Sequence, residues 1–204
     1  RRQRQMCIRD SLKYEFAKQY YAAGKYSRAA TLLNDLITTK KGTQEAEESL
    51  YMLAMAEFNM KDYETAAEYF RKYYSSYPKG LYAERAKFFV GESLYMNAPE
   101  PRLDQSTTMT AISAFQEYLD LFPDAQLKKE ATNRLFALQD LLVEKEYKNA
   151  KLYYDLGSYF GNCLGEGNNY QACIVTAQNA LKDYPYSNKR EELSLIHISE
   201  PTRL

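Results

Sequence analysis

The chain has 204 residues, enough for one ordinary domain or a short array of repeats. Its 27 basic and 27 acidic residues cancel, which excludes a dedicated phosphate-backbone binder, since that needs a net positive face to displace counterions. A single histidine, His197, excludes His-rich zinc sites and leaves little room for Ser-His or Cys-His catalysis, so the composition leans toward a helical interaction module rather than an enzyme.

From the N-terminus, residues 1–10 carry basic side chains without the apolar run of a signal peptide. These residues, like 195–204, resemble translated sequencing-adapter sequence. Both tails are therefore expected to be foreign to the natural protein, with a repeat region at 11–194. No apolar run approaches the roughly 20 residues that cross a bilayer.

Self-similarity organises the middle of the chain. With Tyr26, Tyr63, Thr108 and Tyr170 as origins, the third residue on is Ala29, Ala66, Ala111 or Cys173, and the fourth is Ala30, Ala67, Ile112 or Ile174. Seven on come Leu33, Phe70, Phe115 and Ala177, and ten on come Leu36, Tyr73, Tyr118 and Ala180. Those offsets describe one face of an α-helix. Tyr77-Pro78, Phe122-Pro123 and Tyr184-Pro185 then stop three of the four helices. An earlier helix precedes each. Segments 14–24, 51–61 and 88–98 align at a spacing of 37, with Ala17, Ala54 and Gly91 at a position where a small residue lets a partner approach. This is the tetratricopeptide pattern: an all-α superhelix of about four helix pairs, in units 11–41, 47–78, 81–123 and 124–185.

The departures from the period are local. Pro99 to Ser106 is an insertion that predicts a surface loop. From Asp124 to Leu156 there is no Gly or Pro, and Leu127, Ala131, Leu135, Leu138, Leu142, Tyr147, Ala150 and Tyr153 keep a helical stripe, which predicts one long helix of about 30 residues. Gly157 to Asn169 predicts a flexible connector; its glycines follow no strand and so make no phosphate cradle. Cys163 and Cys173 are read as free thiols, Cys173 as a small packing residue, with a disulfide the alternative.

The spacing of 37 also puts Tyr14, Tyr51 and Phe88 at one position of the first helices, and Tyr21, Phe58 and Tyr95 at another two turns along the same face. Two aromatic rows suit a cradle for an extended peptide, and Lys18 and Arg85 nearby suit a carboxylate. The alternative is that these rings fill the seams between helices.

Segments KYEFAKQYYAAGKYSRAATLLNDLI (13–37), ESLYMLAMAEFNMKDYETAAEYF (48–70), APEPRLDQS (98–106), AKLYYDLGSYFGN (150–162) and AQNALKDYPYSNKREELS (177–194) resemble the outer-membrane assembly lipoprotein family (BamD, also called YfiO), in its Bacteroidetes-type form. The resemblance implies five tetratricopeptide units on a lipid anchor at the periplasmic face of the outer membrane. It implies two partners: the periplasmic domains of the β-barrel insertase, and unfolded outer-membrane proteins. It implies no nucleic acid, no metal, no cofactor and no catalytic residue. The chain departs from it by stopping where a fifth unit would begin, at about Ser187 to Ser194, and by a long stretch at Gly161 to Asn169. Another tetratricopeptide adaptor of the cell envelope, of cell-division or envelope-coordination type, is the second reading. An enzyme is the third, because the paired carboxylates Glu47 and Glu48 sit on a helix start without a predicted pocket.

Overall fold

Among the described residues the apolar stripes fold as eight helices, and there is no strand. The computed structural model describes residues 2–40, 42–160 and 169–184, together with 187, 191 and 194; of residues 2–10, 157–160 and 170 it describes the backbone alone. The helices are α1 (Arg2–Ala22), α2 (Tyr26–Thr39), α3 (Gln44–Asn59), α4 (Tyr63–Ser76), α5 (Ala83–Met96), α6 (Ser106–Leu121), α7 (Lys128–Phe160) and α8 (Asn169–Asp183). Each packs against the next, giving four pairs laid side by side. First helices also meet first helices, α1 with α3 and α5 with α7, while no pair of second helices meets to the same extent. Two of the three junctions between successive first helices are made this way and none between described second helices is, so the stack bends toward its first helices. Helices α1, α3, α5 and α7 therefore line the inner side of a tetratricopeptide-type solenoid.

The core follows the register read from the sequence. Ala29, Ala66, Ala111 and Cys173 are buried, as are Leu33, Phe70, Phe115 and Ala177, and Leu36, Tyr73, Tyr118 and Ala180. Of the small positions on the first helices, Ala17 and Ala54 are buried, and Gly91 lies under Phe115, where a Cβ would sit 2.8 Å from the ring. Bare glycine is what lets α6 approach α5 this closely.

The turns repeat as well. Helices α1, α3 and α5 end 37 residues apart, at Ala22, Asn59 and Met96. Gly24 and Lys61 both take left-handed backbone, at φ +71° and +65°, after the first two. In each, the next N–H reaches back five residues, Lys25 to the Tyr20 carbonyl and Asp62 to the Glu57 carbonyl, closing the same C-terminal motif. Helices α4 and α6 stop just ahead of Pro78 and Pro123. Helix α3 starts earlier than its aligned segment because the Thr43 side chain accepts from the Ala46 N–H and caps the helix at Gln44.

The long helix is present as α7, 33 residues or about 50 Å. It starts at Lys128 rather than Asp124 and continues through Gly157 to Phe160. Its stripe holds through Ala150 and gains Val143, which is buried, but Tyr153 is exposed. Lys151 to Asp155 are all exposed, so the stretch is not packed into the core formed by the described residues. The 99–106 insertion is shaped by the buried Gln105, whose amide donates to the Glu100 and Leu103 carbonyls at 2.8 and 3.2 Å and accepts from Thr108. Cys173 is a buried free thiol. Cys163, most of the 157–169 connector, Pro185, His197, the tail 195–204 and much of the expected start of a fifth unit lie outside the described residues.

Candidate functional site

On the inner side, the first aromatic position is largely spent on packing between helices. Tyr14 is 6% exposed, and its hydroxyl donates to the Glu48 carboxylate across the α1–α3 contact. Burial, with Glu48 accepting from it, raises the Tyr14 phenol pKa. Phe88 is 4% exposed and set edge-on against Phe115 and Tyr118, at 5.9 and 5.6 Å between ring centres. Neither ring offers a ligand much surface.

Tyr51 differs. It is half-buried and meets Phe70 and Tyr73 edge-on, while its face lies flat against Tyr82, at 4.5 Å and 11°. Burial pushes its phenol up to about 12, with the nearby Arg85 guanidinium pulling the other way. Tyr21 lies within electrostatic reach of Tyr51, and Tyr82 within reach of Tyr14. Lys18 Nζ stands 4.2 Å over the Tyr14 ring. The structure therefore gathers Tyr14, Lys18, Tyr21, Tyr51 and Arg85 into one patch and adds Tyr82. Among the described residues neither Lys18 nor Arg85 has a carboxylate at salt-bridge distance; Arg85 instead meets the Tyr51 hydroxyl and Lys18 the Tyr14 ring.

The second row is half-buried along its length. Tyr21 is edge-on to Tyr26 at 5.4 Å and accepts from the Asn59 amide at 3.4 Å. Beside it a shallow cleft of about 530 Å³ is lined by Gly24, Lys25, Tyr26, Ser27, Arg28 and Met60. Phe58 is edge-on to Tyr63 and Phe89, at 5.3 and 5.4 Å. Tyr95 lies 4.9 Å beneath the Arg134 guanidinium, which is held by the buried Glu92 carboxylate through Nε at 2.9 and 3.2 Å. That pair ties α5 to α7.

Three of these residues were not singled out in the sequence. Tyr82 sits at the start of α5, outside every periodic position. Glu92 does carry a signal, since an acid between Val90 and Leu94 in an apolar stretch requires a buried partner. The partner, Arg134, is 42 residues away on another element and cannot be read from spacing.

Among the described residues no three His, Cys, Asp or Glu side chains are placed to hold a metal, and no helix is long and apolar enough to cross a membrane. The fold and this face define a helical-repeat protein whose first helices present aromatic and cationic side chains. The family model for YfiO, described as an outer membrane lipoprotein, matches residues 8–200, and the chain belongs to that family. A curated relative, the outer membrane protein assembly factor BamD of Rickettsia prowazekii (strain Madrid E), is 22% identical over 129 residues, 63% of this chain and 51% of the relative. The chain thus spans about half the length of that relative. Among solved structures, the putative kinesin light chain of Podosopora anserina, with nearly identical TPR-like repeats, aligns at 12% identity and a TM-score of 0.48, covering 94% of each chain. A single-substitution variant of it aligns at 12% and 0.49, covering 93% of each.

Proposed function

We propose that this chain is a non-enzymatic adaptor in outer-membrane protein assembly, held by a lipid anchor at the periplasmic face of the outer membrane. Its inner face receives an extended segment of an unfolded outer-membrane protein. Tyr21, Tyr51, Phe58 and Tyr95 offer ring surface, Tyr14 and Phe88 support them from the helix seams, and Lys18 and Arg85 pair a carboxylate of the segment. The periplasmic domains of the β-barrel insertase are the second partner.

The observation that carries this reading is the patch around Tyr51, where half-buried phenols adjoin two cations without carboxylate partners. Such a patch suits a chain that is partly aromatic and ends in, or carries, a negative charge. Family membership and the assembly-factor relative give the process in which that ligand occurs. The insertase partner is tested by co-purification: a tagged form of the complete protein is expected to bring the insertase from a detergent-solubilised Gram-negative membrane. Recovery no higher than that of an unrelated tagged lipoprotein overturns this part of the proposal.

A further inference from the structure

We propose that Tyr82 is a ligand-contacting ring of the inner face, and that Glu47, Tyr73 and Gly80 are positioning residues that hold it against Tyr51. The inference rests on the inner-face reading above and names a recognition element within it.

Tyr82 precedes α5 by one residue, where a side chain is free to point in several directions unless its backbone is fixed. Here the backbone is fixed twice. The Glu47 carboxylate, on the first turn of α3, accepts from the Tyr73 hydroxyl at 2.6 Å and from the Leu81 N–H at 3.0 Å. The same Tyr73 oxygen accepts from the Tyr82 N–H at 3.2 Å. Two consecutive backbone N–H groups are thus anchored to one carboxylate–phenol pair, and a charged acceptor makes the Leu81 bond stronger than a neutral one would be. Gly80 permits the approach. A Cβ there would fall on the Glu47 carboxylate and 2.7 Å from the Tyr73 oxygen, so any side chain at this position must displace the atoms that hold the turn. With the turn so pinned, Tyr82 stacks on Tyr51.

The next unit provides an internal control. Its carboxylate and phenol recur as Glu84 and Tyr118, 3.4 Å apart. Its turn runs Pro123-Asp124-Ala125-Gln126-Leu127, with alanine where Gly80 stands and leucine where Tyr82 stands. The pair is a repeated structural feature; the close turn and the ring it places belong to the Pro78–Tyr82 turn. A flat pair of phenols beside Arg85 selects an aromatic side chain adjoining a carboxylate, since a third ring extends the stack while the guanidinium takes the charge.

The test uses two synthetic peptides identical except at the C-terminal residue, phenylalanine in one and alanine in the other, each with a free carboxylate, titrated calorimetrically into the full chain. The unaltered protein is expected to prefer the phenylalanine peptide by about tenfold, the scale of a buried aromatic contact. Tyr82→Ala brings the two affinities to within about twofold of each other, chiefly by weakening the phenylalanine peptide, and Tyr82→Phe keeps the preference. Tyr73→Phe and Gly80→Ala, each verified as helical by circular dichroism, also remove it. A general loss of structure would instead weaken both peptides together, and that outcome overturns the positioning role. If the peptides bind and discriminate but Tyr82→Ala leaves the ratio intact, the role of Tyr82 is overturned and the inner-face reading stands. If neither peptide binds the unaltered protein, both fall.

Discussion

Tyr51 and Tyr118 carry phenols that burial pushes up to about 12, and Tyr14 and Tyr73 are raised for the same first reason. In each, the fold favours the neutral phenol, so the stabilisation is complete below the ordinary tyrosine value near 10 and is lost as pH rises from there toward 12. On alkaline titration the Tyr51 and Tyr118 phenols are therefore expected to ionise only as helicity falls. A single phenolate transition near pH 10 with unchanged circular dichroism would contradict this. Ser49 gives a second residue-scale prediction. Its hydroxyl is buried without a hydrogen-bond partner among the described residues, so Ser49→Ala should stabilise by about 1 kcal/mol in denaturant unfolding. A loss of stability would show that the hydroxyl does find a partner. Periodicity exposed the packing residues well at this scale, because Ala66, Phe70 and Tyr73 recur at fixed offsets. It missed Tyr82, whose place is set by backbone hydrogen bonds from Leu81 and Tyr82 to the Glu47–Tyr73 pair, in a turn whose residues differ from the next unit's.

At the scale of elements, the turns between first and second helices offer a comparison built into the chain. Gly24 and Lys61 occupy equivalent left-handed positions, and only Gly24 does so without a steric cost to its Cβ. Lys61→Gly should therefore stabilise by about 0.5–1 kcal/mol, the left-handed penalty less the extra entropy that glycine loses on folding. An unchanged or lower Tm would contradict it. Gly91→Ala acts in the opposite direction, since the new methyl meets Phe115 in a filled seam, and overpacking of that kind costs about 1–3 kcal/mol. Helix identity, the prolines that stop α4 and α6, and the long α7 were all legible, because each depends on local pattern. The exposed Tyr153 was not: a stripe continues in sequence whether or not that stretch packs into the core.

At the scale of the whole molecule, contacts run mainly between consecutive helices, so stability is distributed unit by unit. The Glu92–Arg134 pair is one of the few ties between successive first helices. Arg134→Met leaves a carboxylate buried without its partner, and because Arg134 itself is about one-third exposed the cost should be near 2–3 kcal/mol rather than that of a fully buried pair. Amide hydrogen exchange should then accelerate in α5, α7 and α8 while α1 and α2 keep their protection. Uniform acceleration along the chain would show that the array unfolds as one unit.

The inner face is likewise a property of the stack, since the helix register places rings on it and the bend decides which remain accessible. The most direct measurement is titration of a fluorescently labelled, unfolded outer-membrane β-barrel protein with this chain and with its Lys18→Ala, Arg85→Ala double variant, read by anisotropy. Saturable binding is expected for the unaltered chain, weakened at least tenfold in the variant at an unchanged Tm. Absence of saturable binding, or equal affinity in the variant, would contradict the account.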